Sequence, residues 1–372
     1  MSTKQFLMGN EVLAKAARAA GALGLYGYPI TPGSEILKWW ATEAGSKSGK
    51  RDGVVFVQAE DEIGASFMLL GAVLAGQKAF TVTAGPGNVL MQDAFSMCEA
   101  MRIPVVGYIN QRGGPSTSTV IYSQSEVNLT AFGGNGNGFR VVYSPANLQE
   151  LYDYGIRVFN VAWKYRFPTF LLGDGYQAKM MGEVEIYDPQ ERGIAMVETE
   201  KYLLEEVRTR PINEVVPTPE VHIRVADGVE YSCYRNCLDF EEDTLRVNME
   251  IQRAWDAVAA EVREHKTYGD ANAETLIIAH GIVAEAAQGA IDATGNSARL
   301  FRPITLRPFP DEELRLAAQG AARILIVESA IDQLARFCRS ALYGHATAPI
   351  VEHFRPSIGI PVEEIVDLLT HA

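Results

Sequence analysis

Three short strings carry the side chains best suited to chemistry: YPITP at residues 28–32, QAEDE at 58–62 and QRGGPST at 111–117. In the first, Pro29 and Pro32 fix the backbone around Thr31, so its hydroxyl is held with little entropy left to lose and can bond a polar ligand. The same string would serve as a plain helix entry with Thr31 or Ser34 as N-cap. The second sets Glu60, Asp61 and Glu62 between an apolar strand and a helix start of small residues, Gly64, Ala65 and Ser66. Carboxylates are stabilised there by the helix dipole. One kept from water would have a raised pKa and could hold a proton for a ring nitrogen. The third puts Arg112 directly after an apolar run and beside Gly113 and Gly114. A guanidinium grips a carboxylate bidentately, which suits an organic acid unless a neighbouring acid already pairs with it. A further string, TAGPGNVLM at 83–91, is a Gly-rich turn into a helix, either a tight structural turn or a place where N–H groups meet a polar ligand. It matches neither GxGxxG nor GxxxxGK[ST], so the common nucleotide fingerprints are not met.

These strings need strands and helices to bring them together. Each follows a short apolar run (Leu25 to Tyr28, GVVFVQA, KAFTVTA, IPVVGYI), and helical stretches such as SEILKWWATEA, EIGASFMLLGAVLAG and NVLMQDAFSMCEAM lie between; FRVVYS and FPTFLLGD continue the rhythm. Near-continuous apolar strands alternating with helices indicate a parallel sheet covered on both faces, with the strings converging on one edge. Residues 10–22 read as a helix with Asn10 as N-cap and Gly21 as its stop. The first α/β domain is expected over 1–185. Residues 186–270 change texture and read as a connecting region with one long helix in DFEEDTLRVNMEIQRAWDAVAAEVREHK. A smaller α/β unit follows over 271–372, from ETLIIAHG through ARLFRPITLRPFP to ARILIVES and a helix near Gln333.

A chain of 372 residues, 47% hydrophobic, is long enough for two packed domains. Its net charge of -13 disfavours nucleic acid or an anionic membrane as the primary partner. Of four cysteines, Cys233 and Cys237 are spaced CxxxC while Cys98 and Cys338 stand alone, so neither a disulfide framework nor a four-thiolate iron–sulfur run is present. Six histidines lack HxxxH or HxH spacing, which leaves no zinc pattern. The N-terminus has no secretory pattern and no stretch nears the ~20 apolar residues of a membrane span, so the cytoplasm is the expected location. Gly173, Asp174 and Gly175 open the GDG pattern by which thiamine-diphosphate proteins hold magnesium and diphosphate. The asparagine that completes it is missing from the following window, ETEKYLLEE, so GDG reads as a strand end and turn with no metal.

The order of these strings carries more than any one alone. GNEVLAKAARAAGALGLYGYPITPGSEI, EDEIGASFMLLGAVLAGQKAFTVTAGPGNVLM and IPVVGYINQRGGPSTSTVIYSQSEV, with the later GIVAEAA, RPITLRPFP and LIVESAIDQLARF, resemble the alpha subunit of the 2-oxoacid:ferredoxin oxidoreductases over nearly the whole chain. The resemblance implies a pyrimidine-binding thiamine-diphosphate domain followed by a transketolase C-terminal-like domain. It also implies a beta subunit that binds the diphosphate and magnesium and carries a [4Fe–4S] cluster, with gamma and ferredoxin-like subunits beside it. The implied reaction is oxidative decarboxylation of a 2-oxoacid to an acyl-coenzyme A, with electrons passed to ferredoxin or a related carrier. Position by position, Glu62 matches the glutamate facing N1′ of the aminopyrimidine, Thr31 the substrate-contacting threonine and Arg112 the reader of the substrate carboxylate. Tyr28, Pro29, Gly85 and Pro86 fall with Glu62 among the cofactor-binding positions. The chain departs from the pattern at Ser118, where relatives have glycine, at Tyr122 nearby, and at Gly33 in place of a frequent serine. These changes bear on the acyl group, which in family subunits of this length is that of 2-oxoglutarate, branched-chain or aryl 2-oxoacids. The competing readings are a thiamine-diphosphate decarboxylase or synthase without iron–sulfur chemistry, and a non-catalytic partner subunit. The first normally keeps the whole diphosphate motif in one chain, and the second needs none of Glu62, Thr31 and Arg112.

Overall fold

The computed structural model describes residues 2–199, 220–226, 229–235 and 241–371. The first half follows the alternating pattern read from the sequence. After β1 (Thr3–Met8) and α1 (Gly9–Ala19) come β2 (Gly24–Gly27), α2 (Ser34–Gly45), α3 (Lys47–Asp52), β3 (Val55–Gln58), α4 (Glu62–Leu74) and β4 (Ala79–Thr83). The expected helix NVLMQDAFSMCEAM is broken at Met91 into α5 (Pro86–Leu90) and α6 (Gln92–Met101). There follow β5 (Val106–Gln111), α7 (Val127–Phe132), β6 (Val141–Tyr143), α8 (Leu148–Tyr165), β7 (Thr169–Asp174), α9 (Gly175–Lys179) and β8 (Met181–Ile186).

Strands β9 (Glu220–Ala226) and β10 (Val229–Arg235) form an antiparallel pair, and α10 (Glu241–Val262) is the long helix expected in the connecting region. Cys237 of the CxxxC pair lies outside the described residues. The chain ends with β11 (His265–Gly269), β12 (Thr275–Ile278), α11 (Gly281–Ala293), β13 (Ala298–Pro303), β14 (Thr305–Arg307), α12 (Asp311–Ala318), β15 (Arg323–Glu328), α13 (Leu334–Leu342), β16 (Ile350–Phe354) and α14 (Val362–Thr370).

Two main sheets result. The larger has seven strands in the order β14-β6-β7-β5-β4-β2-β3, and the smaller has five in the order β11-β13-β12-β15-β16. All neighbours in the larger sheet are parallel except β14, which runs antiparallel to β6. A mixed α/β architecture with parallel sheets is therefore the fold, as the sequence indicated. What the sequence did not show is that β14, which follows the second sheet's β13, crosses to complete the edge of the first. The buried ion pair between Arg302 and Glu150 on α8 binds the two sheets again.

Core packing holds the strands that end in the three strings. Phe80 on β4 is fully buried and meets Trp40 of α2 at 4.9 Å, Tyr108 of β5 at 5.2 Å and Phe159 of α8 at 6.0 Å between ring centroids. Asn10 is not the cap of α1. It sits inside the first turn, where its amide donates to the Pro32 carbonyl and to Glu35, each at 2.7 Å, and accepts from Asn110 at 2.9 Å. Full burial explains the difference, because a buried amide is stabilised by tertiary partners that a solvent-facing cap position lacks. The turn after β2 is thereby tied to α1 and β5. Neither Thr31 nor Ser34 caps α2: Gly33 holds the N-cap position, with no side-chain capping bond.

Candidate functional site

The loops after β2, β3, β4 and β5 lie side by side at the carboxyl ends of adjacent parallel strands. From β2 the chain crosses to β3 on one side, returns to β4 on the other and continues outward to β5. The edge between β2 and β4 is thus the switch point at which open α/β sheets take ligands.

Of the three carboxylates in QAEDE, only Glu62 is buried, at 7% exposure. Asp61 is the N-cap of α4 and accepts from the Gly64 N–H at 2.6 Å, while Glu60 faces solvent. The cap fixes the first turn of α4 and so fixes Glu62, its first residue. Glu62 leans over the turn after β4: a Cβ built at Gly87 would come within 2.7 Å of its Oε1 and would also strike the Thr83 hydroxyl. That hydroxyl is buried and has no hydrogen-bond partner among the described residues. A carboxyl and an unpartnered hydroxyl therefore meet against a glycine backbone that comes too close to carry a side chain.

Beside it, Gly85 has φ of 51°, a left-handed conformation that glycine adopts without cost, and it must also leave room for Arg112. A Cβ there would lie 2.6 Å from the Arg112 Nε. Arg112 is nearly buried. Its Nη1 donates to the Thr31 carbonyl at 3.0 Å and its Nε has no partner among the described residues. The structure thus brings Arg112, Thr31 and Gly85 together, through the carbonyl of Thr31, while the Thr31 side chain is exposed. Gly33 packs on β4, where a Cβ would sit 2.7 Å from Val82 Cγ1, so the frequent serine would need Val82 to move. Pro86 opens α5, Tyr28 is half-buried and Pro29 is exposed.

One residue that sequence reasoning missed organises this corner. Glu126 is buried, and its Oε1 accepts from the backbone N–H of both Gly85 (2.8 Å) and Arg112 (3.0 Å), while its Oε2 accepts from the Asn88 amide at 3.0 Å. Of the two readings of this Gly-rich turn, the Gly85 N–H follows the structural one, since it donates to Glu126. Burial raises the Glu126 pKa, against the pull of those N–H donors and of the Arg112 guanidinium. Only its place in the quoted string QSEV hinted at it, since no periodicity marks a loop carboxylate. Asp174, the centre of GDG, ends β7 in register with Gln111 and caps α9 by accepting from the Tyr176 N–H at 2.7 Å. It is therefore the strand end and turn read from the sequence. Burial pushes its pKa up to about 7.

Comparison with known proteins follows the same lines. The family described as pyruvate flavodoxin/ferredoxin oxidoreductase, thiamine diP-binding, matches residues 15–264, and pyruvate:ferredoxin oxidoreductase core domain II matches 273–359. Ketoisovalerate oxidoreductase subunit VorB of Methanothermobacter marburgensis is 31% identical over 89% of this chain and 87% of its own length. The 2-oxoglutarate synthase subunit KorA of Methanothermobacter thermautotrophicus is 29% identical over 99% of each. Among solved structures, the 2-oxoglutarate:ferredoxin oxidoreductase from Magnetococcus marinus, with 2-oxoglutarate, coenzyme A and succinyl-CoA bound, superposes with a TM-score of 0.83 at 21% identity. It shares the fold over 99% of this chain, which spans 65% of that one.

Proposed function

Because the chain belongs to the 2-oxoacid:ferredoxin oxidoreductase family, as a member of the alpha-subunit type, we propose that the edge of β2 to β5 is one half of a thiamine-diphosphate site for oxidative decarboxylation of a 2-oxoacid. The observation that carries the reading is the corner where buried Glu62 meets the unpartnered Thr83 hydroxyl across Gly87. An aminopyrimidine needs a carboxyl at its ring nitrogen, and Glu62, held buried in the first turn of α4, would supply one. Bound there, thiamine diphosphate supplies the nucleophilic carbon and the electron sink that decarboxylation requires.

Glu62 would hold a proton at the ring nitrogen N1′, and the Asp61 cap keeps it from swinging away. Tyr28, Pro29, Gly85 and Pro86 would border the ring. Arg112 would bind the carboxylate of the 2-oxoacid, because its Nε is buried without a partner while its Nη1 is anchored to Thr31. A guanidinium donates hydrogen bonds without giving up a proton, so its part is binding and orientation. Thr31, with an exposed side chain, is the second substrate contact.

The other half of the site would come from a beta subunit bearing the diphosphate, Mg2+ and a [4Fe–4S] cluster, with gamma and ferredoxin-like subunits, ferredoxin and coenzyme A completing the assembly. Two features support a partner on this face. Ile63, Phe67 and Met68 on α4, the helix that Glu62 begins, and Val89 and Leu90 on the neighbouring α5 leave apolar side chains exposed. Cys98 and Cys338 are buried, with thiols pushed up in pKa by burial, and are unsuited to ligate a cluster. Purification with and without the neighbouring subunits tests the proposal. The complex should reduce ferredoxin in the presence of a 2-oxoacid and coenzyme A, and the isolated chain should be colourless and inactive. Decarboxylation by this polypeptide alone would overturn the divided site.

A further inference from the structure

The second sheet has a switch point of its own, between β12 and β15, from which the chain crosses in opposite directions to β13 and to β16. Such a crevice ordinarily receives a ligand. Here it receives a side chain from the first domain. Gln124 is buried between the two strand ends. Its Nε2 donates to the His280 carbonyl at 2.9 Å, its Oε1 accepts from the Ser329 N–H at 3.0 Å, and its own N–H donates to the Ser329 carbonyl at 3.0 Å. The helix start that follows β15 is also spent, because Glu328 accepts from the N–H groups of Gln333, Leu334 and Ala335. A cavity of about 520 Å³ remains outside the crevice, but its buried polar groups are bonded to the protein: the Ser329 hydroxyl donates to Ile358 at 2.8 Å, and Asp174 caps α9.

A second anchor lies just beyond. Asn128 at the start of α7 donates its amide to Gln333 Oε1 at 2.9 Å, and its N–H donates to the same oxygen at 3.0 Å. Gln124 and Asn128 bracket Glu126, the carboxylate that holds the backbone of Gly85 and Arg112. We propose that Gln124 and Asn128 are positioning residues, through which the second sheet sets Glu126 and so the substrate arginine and the Gly85 turn. The second sheet is then a clamp on the first domain's site and takes no ligand in its own crevice. This rests on the reading of Arg112 as the substrate residue, but its geometry does not.

Amide hydrogen exchange on the full chain tests it, with Gln124→Leu, which keeps the size and removes the bonds, and Asn128→Ala as the second variant. Exchange at Gly85 and Arg112 should quicken by about tenfold or more in both, with Ile277 and Leu300 of the second sheet unchanged. In the assembled complex the KM for the 2-oxoacid should rise by more than kcat falls. Unchanged exchange at Gly85 and Arg112, or equal acceleration through both sheets, would overturn the clamp and leave Gln124 a structural contact. Exchange is read without substrate, so failure of the functional reading shows elsewhere, as an unaltered 2-oxoacid KM in Arg112→Met.

Discussion

At the scale of single residues, the proposed chemistry rests on a few atoms that have no partner among the described residues. The Arg112 Nε is one. Arg112→Met removes a charge-assisted bond worth ~1.5–3 kcal/mol, so kcat/KM for the 2-oxoacid should fall at least about tenfold while thiamine-diphosphate affinity holds. Steady-state kinetics with cofactor titration reads this directly, and weakened cofactor binding with unchanged kinetics would assign Arg112 to the cofactor. Gly87 supplies the complementary case. A Cβ there would come within 2.7 Å of Glu62 Oε1, so Gly87→Ala should weaken thiamine-diphosphate binding, measured by titration of the complex, with little loss of secondary structure by circular dichroism. Glu62, Thr31 and Arg112 could be proposed from the sequence because each lies within a few residues of the end of an apolar strand. Glu126 was not, since its role is to hold two N–H groups that only the folded chain brings to it.

At the scale of elements, the strand-and-helix rhythm could be read because parallel strands covered on both faces are written as apolar runs. The terminal pairing of β1 with β8 could not, as its half-exposed strands lack such runs. Nor could the passage of β14 into the first sheet, which is decided by packing across the domain boundary. The junction between the sheets can be tested at two places. Glu150 pairs with Arg302 in a buried position, and Glu150→Gln would leave that guanidinium without its charge partner, at a cost of roughly 3–5 kcal/mol in thermal or chemical unfolding. His280 is buried with its Nδ1 at 2.9 Å from the Ser144 hydroxyl, and burial pushes its pKa down to about 3. Its folded pKa lies below the unfolded value near 6.5, so the unfolded chain takes up a proton that the folded chain refuses. Stability is then full above pH ~6.5 and falls as pH drops toward 3, by up to about 1.4 kcal/mol per pH unit from this residue. Urea titrations between pH 7 and pH 5 should show that slope in the natural chain relative to His280→Gln. An identical pH dependence in the two would mean that the imidazole is protonated in the fold.

At the scale of the whole molecule, two sheets joined by β14, by Glu150 with Arg302 and by Gln124 should unfold as one unit. A single calorimetric transition in the isolated chain, with calorimetric and van't Hoff enthalpies in agreement, is the expected outcome, and two separated transitions would contradict it. The same unit leaves Ile63, Phe67, Val89 and Leu90 exposed on α4 and α5, the two helices that adjoin buried Glu62. In the proposed reading a partner subunit covers these helices, so the proton chemistry assigned to Glu62 has to be measured in the assembled complex. The most direct measurement is the rate of C2-proton exchange in thiamine diphosphate bound to the assembled complex, compared between the natural chain and Glu62→Gln. An amide cannot hold and return the proton at N1′, so exchange should slow by ~10²–10⁴-fold with the cofactor still bound. Exchange in Glu62→Gln at the natural rate would contradict the assignment and move the role to another carboxyl, with Glu60 the first to examine.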